Sequence, residues 1–168
     1  PPPSEAATAA EAGAAAADIT PPLGERVIGG FEPFPSTAIH DNLYARCLVL
    51  DDGKAQIAFV ICDNLGIIRD VYDEARQRIA KETTLPPLNI LMAATHTHSG
   101  TRAQSDKYRP VVVRGIVEAV RGALGNLEPA KIGWGGIDEP SEVFNRRWFV
   151  SDPERLKNPF GGVDKVRM

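Results

Sequence analysis

Two of the three histidines in this 168-residue chain, His96 and His98, lie two positions apart in a single short segment. Residues 89–100, with the sequence NILMAATHTHSG, follow two prolines, run apolar and end at a serine–glycine pair. This pattern is typical of a buried strand that ends in a turn. Because alternate side chains of a strand point to one face, we expect the two imidazoles to lie close enough to bind one ion.

A zinc ion would suit such a pair, because zinc binds imidazole nitrogen well and a rigid strand needs little ordering to present two ligands. The carboxyl ends of strands are also where α/β proteins place their sites. An equally open interpretation is that both histidines form hydrogen bonds beside a turn. The H-x-H pattern alone does not choose a family, because unrelated metal hydrolases carry it at a strand end as well.

Catalytic zinc sites usually have three protein ligands, so the histidine pair would need further ligands. Asp63 ends the neighbouring predicted strand, where it could bind the ion itself or orient a metal-bound imidazole through a hydrogen bond. Capping the turn before the next helix is the competing role for Asp63. His40 has no comparable neighbours, and we interpret it as a structural residue.

A second candidate group consists of Asn145, Arg146 and Arg147 beside Trp148. Two guanidinium groups there could clamp a carboxylate or stabilise an oxyanion through charge-assisted hydrogen bonds. A solvated basic turn is the simpler interpretation from the sequence alone. Ser99 follows the histidines without a base to activate it, and the chain has no phosphate loop, nucleophile elbow or dinucleotide fingerprint.

The segments around these candidates predict an α/β fold with a mixed β-sheet, an early β-hairpin and flanking helices. Two apolar runs, residues 43–50 and 55–62, are separated by a short turn-rich loop, which predicts the hairpin. The second run is almost continuously apolar, which favours a strand covered on both faces. Apolar residues at helical spacing predict helices over residues 68–82 and 110–125, and a glycine-rich strand is expected at residues 130–135.

The two ends of the chain differ from its middle. Residues 1–17 are alanine-rich and of low complexity, without an apolar stripe, so we interpret them as a linker or disordered tail. Residues 18–168 are predicted to form the N-terminal part of an incomplete domain. The chain begins without methionine and ends without a closing element, which predicts a fragment or a mature chain cut from a longer precursor.

The composition excludes some function classes. The chain is 43% hydrophobic and 24% charged, as in ordinary globular domains, and its net charge of −3 gives no reason to expect a nucleic-acid partner. No apolar run approaches the length of about 20 residues that a membrane-spanning helix needs. Cys47 and Cys62 lie in apolar runs without metal-pair spacing, so we expect buried free thiols.

The histidine segment resembles the N-terminal catalytic domain of the neutral/alkaline non-lysosomal ceramidases, which carry a THTHSGP block after a strand. Upstream, residues 39–46 (IHDNLYAR) resemble the family's GIH…ARA region, and residues 63–67 (DNLGI) resemble its D-x-G-M/I segment. Residues 144–147 (FNRR) resemble its I-N-R segment. The resemblance therefore extends over residues 18–150, with its pieces in the family's order.

The resemblance implies an enzyme that hydrolyses the amide bond of ceramide to sphingosine and a fatty acid, with one zinc ion as cofactor. It implies that His96 is a zinc ligand, that His98 forms a hydrogen bond to the substrate or its oxyanion, and that Arg146 contacts the substrate. The family's other ligands, a histidine, a glutamate and a tyrosine, would lie beyond Met168. We therefore expect this chain alone to be inactive, and the expected partner is a small-molecule or lipid amide.

Two departures from the family pattern leave the substrate open. Thr101 stands where the family has proline, and Arg147 stands where some members have serine, so a related amide or an ester is also a candidate. We expect a secreted or periplasmic protein, and the sequence does not indicate an oligomeric state. The alternatives are a non-catalytic α/β fragment or binding module, and an unrelated H-x-H hydrolase in which strands and helices alternate without the hairpin.

Overall fold

The computed structural model of the chain describes residues 10–30, 32–144, 148–164 and 166–167. The chain divides into two compact units, Pro1–Gly133 and Trp134–Met168. The first unit contains the main sheet, both α-helices and the histidine segment.

The described residues of the first unit include seven strands and two α-helices. The strands are β1 (Ala10–Asp18), β2 (Arg26–Val27), β3 (Phe34–Pro35), β4 (Tyr44–Asp51), β5 (Gln56–Cys62), β6 (Ile90–Ala94) and β7 (Glu128–Ala130). The helices are α1 (Arg69–Glu82) and α2 (Arg109–Gly125). Strands β2 and β3 pair with each other, and the other five form one sheet in the order β6–β5–β4–β1–β7. This mixed sheet with helices confirms the predicted α/β class.

The predicted hairpin is present, because β4 and β5 pair antiparallel across the loop that separates them. Strands β5 and β6 pair in parallel, with α1 in the connection between them, and Cys62 is the register partner of Ala94. Both strands therefore end at the same edge of the sheet. The hairpin also excludes the alternative of a barrel in which strands and helices alternate regularly.

The linker prediction for residues 1–17 is wrong for residues 10–17, which belong to β1. This strand pairs antiparallel with β4 from Glu11↔Asp51 to Asp18↔Tyr44 and with β7 on its other side, so it lies inside the sheet. Residues 1–9 lie outside the described residues.

Small side chains explain why an alanine-rich segment forms a core strand. A Cβ atom added to Gly13 would lie 2.1 Å from the backbone oxygen of Ala123 on α2. A Cβ atom added to Gly122 of the same helix would lie 2.8 Å from the Cβ atom of Ala15. The helix thus approaches β1 so closely that only glycine and alanine fit, and such a contact has no apolar periodicity to reveal it in the sequence.

One face of the sheet packs with both helices in a single core. From the sheet, this core contains Ala45, Cys47, Val49, Ala58, Val60 and Cys62; from the helices, it contains Val71, Ala75, Ile79, Val112, Val113, Ile116, Val117, Ala119, Val120 and Ala123. The predicted helices are confirmed to within one residue at each end. Neither described helix is long and apolar enough to cross a membrane.

The expectation that β5 is covered on both faces is wrong. Ile57, Phe59 and Ile61 alternate with its buried residues and are 40%, 36% and 37% exposed, respectively. Their register neighbours Leu48 and Leu91 are exposed as well. The sheet therefore has one core face and one apolar face that is open in this structure.

Both cysteines are buried and free, as predicted. Burial raises the pKa of each thiol to about 12, and the negative charge of Asp63 contributes to the shift of Cys62. The thiolate is the reactive form of cysteine, so both side chains act as small core residues.

Short elements make up the second unit. It contains 3₁₀-helices at Pro140–Glu142 and Pro153–Leu156, and strands β8 (Trp148–Phe149) and β9 (Val166–Arg167), which pair antiparallel.

The glycine-rich strand expected at residues 130–135 is displaced towards the N-terminus, because β7 ends at Ala130.

We predict that Gly13→Ala destabilises the chain by about 1–3 kcal/mol, because the new methyl group would overlap backbone atoms of α2 that cannot move aside cheaply. Urea unfolding followed by circular dichroism measures the change. Gly125→Ala is the matched control, since a Cβ atom there meets nothing within 4 Å. Equal stability of the two variants would contradict the close approach of β1 and α2.

Candidate active site

The candidate site lies at the sheet edge where β5 and β6 end. Asp63 and Asn64 follow β5, and residues 95–101 follow β6. Backbone hydrogen bonds join the two segments: the amide of Thr95 donates to Cys62 O at 2.9 Å, and the amide of Leu65 donates to Thr101 O at 3.0 Å. Two neighbouring strand ends therefore form one rigid platform.

The two histidines are adjacent in space, but for a different reason from the predicted one. Strand β6 ends at Ala94, so neither ring belongs to a strand face. His96 instead adopts a left-handed backbone conformation with φ of 62°, which is uncommon for a residue other than glycine. The turn brings the ring centroids of His96 and His98 to 5.0 Å, at an interplanar angle of 79°.

A backbone carbonyl orients the ring of His96. Its Nδ1 atom lies 2.8 Å from the oxygen of Leu65. A carbonyl oxygen can only accept a hydrogen bond, so Nδ1 carries a proton, and in the neutral imidazole Nε2 then has the lone pair. Metal-binding histidines in proteins are held in the same way, with the non-ligating nitrogen donating to a carbonyl or carboxylate.

The backbone at His98 is in close contact with the segment that precedes β3. A Cβ atom added to Gly29 would lie 2.3 Å from the Cα, Cβ and O atoms of His98. The amide of Ile28 also donates to Gly100 O at 3.3 Å, and Ser105 Oγ donates to a carboxylate oxygen of Glu25 at 2.7 Å. Ile28 and Gly29 therefore contact the segment 98–100 directly, and Glu25 contacts the loop that follows it.

Asp63 makes its contacts with β4. Its Oδ2 atom accepts the backbone N–H of Tyr44 at 3.0 Å and forms an ion pair with Arg46, and its side chain is 17% exposed. The guanidinium of Arg46 also stacks 5.0 Å from the ring centroid of Tyr44. In the described part of the chain, no three His, Cys, Asp or Glu side chains are grouped to hold an ion. The contacts of Asp63 thus favour a structural role over that of a ligand.

His98 lines a cavity of about 550 Å³ in the first unit. The cavity lining also includes apolar side chains such as Phe34 and Ile39 and the polar residue His40. The ring of His40 is 97% exposed and contacts Asp41 through its Nδ1 atom at 2.8 Å, so His40 does not contribute to the core. The cavity is open and amphipathic, which suits a ligand with both an apolar chain and polar groups.

The structure says less about the other residues that the sequence singled out. Arg146 lies outside the described residues, as do Asn145 and Arg147. Ser99 is exposed, and its backbone amide lies 3.4 Å from Thr97 Oγ1.

Sequence reasoning missed a buried polar pair behind the site. Asn64 and Tyr108 are both fully buried, and the Tyr108 hydroxyl lies 2.6 Å from Ile19 O and 3.4 Å from the amide of Asn64. Burial raises the pKa of Tyr108 well above its usual value, so the hydroxyl keeps its proton. The only hint in the sequence was the position of Asn64, directly beside the strand-end Asp63.

Comparison with known proteins identifies a family match. The profile described as "Neutral/alkaline non-lysosomal ceramidase, N-terminal" matches residues 11–162. It is the family that the histidine segment resembles, so that prediction is confirmed. The match also includes residues 11–17, in agreement with their place in β1.

Bacterial neutral ceramidases are similar in sequence and structure. One from Mycobacterium tuberculosis is 28% identical over an alignment of 116 residues, and the match covers 58% of this chain and 18% of that protein. One from Pseudomonas aeruginosa is 26% identical over an alignment of 162 residues, and the match covers 85% of this chain and 24% of that protein. The chain therefore spans less than a quarter of the length of these curated relatives.

Two solved structures share the fold. The crystal structure of neutral ceramidase from Pseudomonas aeruginosa has a TM-score of 0.64 and 25% identity, covering 73% of this chain and 22% of that one. A structure of ceramidase complexed with C2 has a TM-score of 0.63 and 26% identity, with the same coverage.

We predict that Gly29→Ala displaces the turn at His98, because the added methyl group would overlap the His98 backbone. The ring signals of His98 in ¹H–¹⁵N spectra should shift, and the free energy of unfolding should fall by about 1–3 kcal/mol. Gly30→Ala is the control, since a Cβ atom there meets only Glu32 O at 4.0 Å and neither glycine has a left-handed φ. Identical spectra for the two variants would refute the contact.

Proposed function

Because the chain belongs to the neutral/alkaline non-lysosomal ceramidase family, we propose that it forms part of a zinc-dependent hydrolase that cleaves an N-acyl amide bond. The substrate is a ceramide-like lipid, cleaved to sphingosine and a fatty acid, or a related amide. The observation that carries the proposal is the hydrogen bond from His96 Nδ1 to Leu65 O, which leaves Nε2 as a metal-binding atom.

The imidazole of His96, the one zinc ligand that we assign to the described residues, is of a type that zinc binds. An imidazole whose other nitrogen donates to a carbonyl is a typical zinc ligand, and the ring is exposed, so an ion can reach it. When bound, zinc would supply Lewis-acid chemistry, polarising the acyl carbonyl and lowering the pKa of a water molecule towards about 7. We assign no other zinc ligand to the described residues.

The remaining ligands are proposed to come from polypeptide outside residues 1–168. Two findings support this step: the described residues hold no group of three potential ligands, and the matched relatives are more than four times longer than the regions they share with this chain. The chain alone is then expected to bind zinc weakly and to be inactive.

His98 is assigned to the substrate. Its ring is exposed on the cavity wall, and its centroid lies 5.0 Å from that of His96. From there it would donate a hydrogen bond to the acyl oxygen as negative charge develops on it. A single donor aimed at such an oxyanion contributes a factor of about 10²–10³ to kcat in other hydrolases. Arg146 is proposed as a second, cationic donor to the same substrate.

The amphipathic cavity supports a lipid amide as the substrate class. Phe34 is 56% exposed and Ile39 is 50% exposed, and both line the cavity that His98 lines. An alkyl chain lying on this wall would cover both side chains and place a polar head near the histidine turn.

A non-catalytic binding module is the competing function. The absence of a three-ligand group from the described residues is the observation that favours it. The two functions differ in one measurable property, because only the hydrolase requires zinc in the full-length protein.

We predict that the full-length protein contains one zinc ion and hydrolyses N-acylsphingosine, and that His96→Ala loses most of the zinc and the activity. Zinc is measured by mass spectrometry and free sphingosine by chromatography. His40→Ala, which also removes an exposed imidazole, should keep its zinc. Full zinc occupancy in His96→Ala would refute the ligand assignment, and a metal-free wild type would support the binding module.

We predict a different result for His98→Ala. This variant should keep its zinc but lose activity by about 10²–10³ in kcat, because its side chain contacts the acyl oxygen and not the ion. Steady-state kinetics and zinc content, measured on the same sample, separate the two roles. Loss of zinc together with activity would make His98 a ligand instead.

A further inference from the structure

We propose that Tyr108 and Asn64 are positioning residues that hold the imidazole of His96 in its metal-binding orientation, acting through the carbonyl of Leu65. The inference rests on the proposed role of His96 as a ligand and names what keeps that ring in place. Neither residue touches the ring itself.

The hydroxyl of Tyr108 is the fixed point of this arrangement. It has one proton, which it donates in a hydrogen bond to the carbonyl oxygen of Ile19 at 2.6 Å. Both the Nδ2 and the Oδ1 atoms of Asn64 lie 3.4 Å from the phenol oxygen. With its proton donated to Ile19, that oxygen can only accept, so Nδ2 is its partner. Both side chains are fully buried, and among the described residues no buried side-chain polar atom is left without a partner.

Asn64 transmits this anchor to the strand end. Its backbone amide donates to Cys62 O at 2.8 Å, so both its side chain and its main chain are fixed. The next residue, Leu65, donates its amide to Thr101 O at 3.0 Å and accepts from His96 Nδ1 at 2.8 Å. The carbonyl that selects the protonated nitrogen of His96 is therefore one peptide away from the buried pair.

The left-handed backbone of His96 explains why such an anchor is needed. A non-glycine residue with φ of 62° is held there by its surroundings, because the conformation is unfavourable by itself. If the peptide of Leu65 shifts, the ring loses its acceptor, and the turn loses one of the contacts that hold it. The buried pair of Asn64 and Tyr108 would fix one geometry of this loop, which two apolar side chains at these positions could not do through hydrogen bonds.

The tautomer of His96 shows, without any metal, whether the carbonyl of Leu65 holds the ring in place. In the wild-type chain, ¹⁵N spectra at a pH where imidazole is neutral should show His96 in the Nδ1–H form. In Tyr108→Phe we expect a mixture of the two tautomers, because Asn64 loses its side-chain anchor and the peptide of Leu65 is held by backbone hydrogen bonds alone. Tyr72→Phe, which removes a hydroxyl from a half-buried tyrosine on α1, should leave the wild-type tautomer.

A zinc titration of the full-length protein tests the link to the proposed function. Loss of an outer hydrogen-bond partner of a metal-binding histidine costs about 10–100-fold in affinity, so we expect Tyr108→Phe to bind zinc about tenfold more weakly than Tyr72→Phe. A changed tautomer with unchanged zinc affinity would uphold the positioning role of Tyr108 towards the ring and refute His96 as a ligand.

An unchanged tautomer in a folded Tyr108→Phe variant would overturn the proposal. Should that variant not fold, Asn64→Ala takes its place under the same criterion. The wild-type chain adds a test that needs no variant: the hydroxyl proton of Tyr108 should exchange slowly and show a nuclear Overhauser contact to the side-chain amide of Asn64. Absence of that contact would also overturn the proposal.

Discussion

The hydrogen bond between His96 Nδ1 and the carbonyl of Leu65 depends on one constraint: β5 and β6 must end side by side at the same edge of the sheet. Their parallel pairing aligns Cys62 with Ala94, so the segments that follow both strands meet. One segment supplies the carbonyl and the other supplies the imidazole. Parallel strands need a crossover connection, which makes the site dependent on α1 and on the core that α1 shares with α2.

The same edge receives a third contribution from β1. This strand ends at Asp18, and the carbonyl of the next residue, Ile19, accepts from the Tyr108 hydroxyl. A Cβ atom added to Gly115 on α2 would lie 2.2 Å from the Cγ2 atom of Ile19, so the helix packs directly on the side chain of the residue that follows β1. Small residues on α2 and β1 thus allow the helix whose N-cap is Tyr108 to pack closely against this part of the sheet.

Periodicity and turn residues in the sequence were sufficient for much of the fold. They predicted the hairpin, both helices to within one residue, and the strand that leads to the histidines, while the THTHSG block identified the family. Strand β1 escaped prediction because alanine and glycine give no apolar alternation, and its strand state is decided by contacts with β4 and α2. The proximity of His96 and His98 was expected from strand alternation but arises from a left-handed turn, which depends on contacts with distant segments. The apolar run of β5 led to the wrong expectation that both faces are covered, because apolar side chains alone do not show which face packs against the helices.

The central claim, that His96 presents Nε2 to a zinc ion while Leu65 holds Nδ1, is tested most directly by anomalous diffraction at the zinc edge from crystals of the full-length protein. We expect an anomalous peak about 2.0–2.1 Å from His96 Nε2, with Nδ1 still hydrogen-bonded to the Leu65 carbonyl. A zinc peak on Nδ1, or a zinc site that does not include His96, would contradict it.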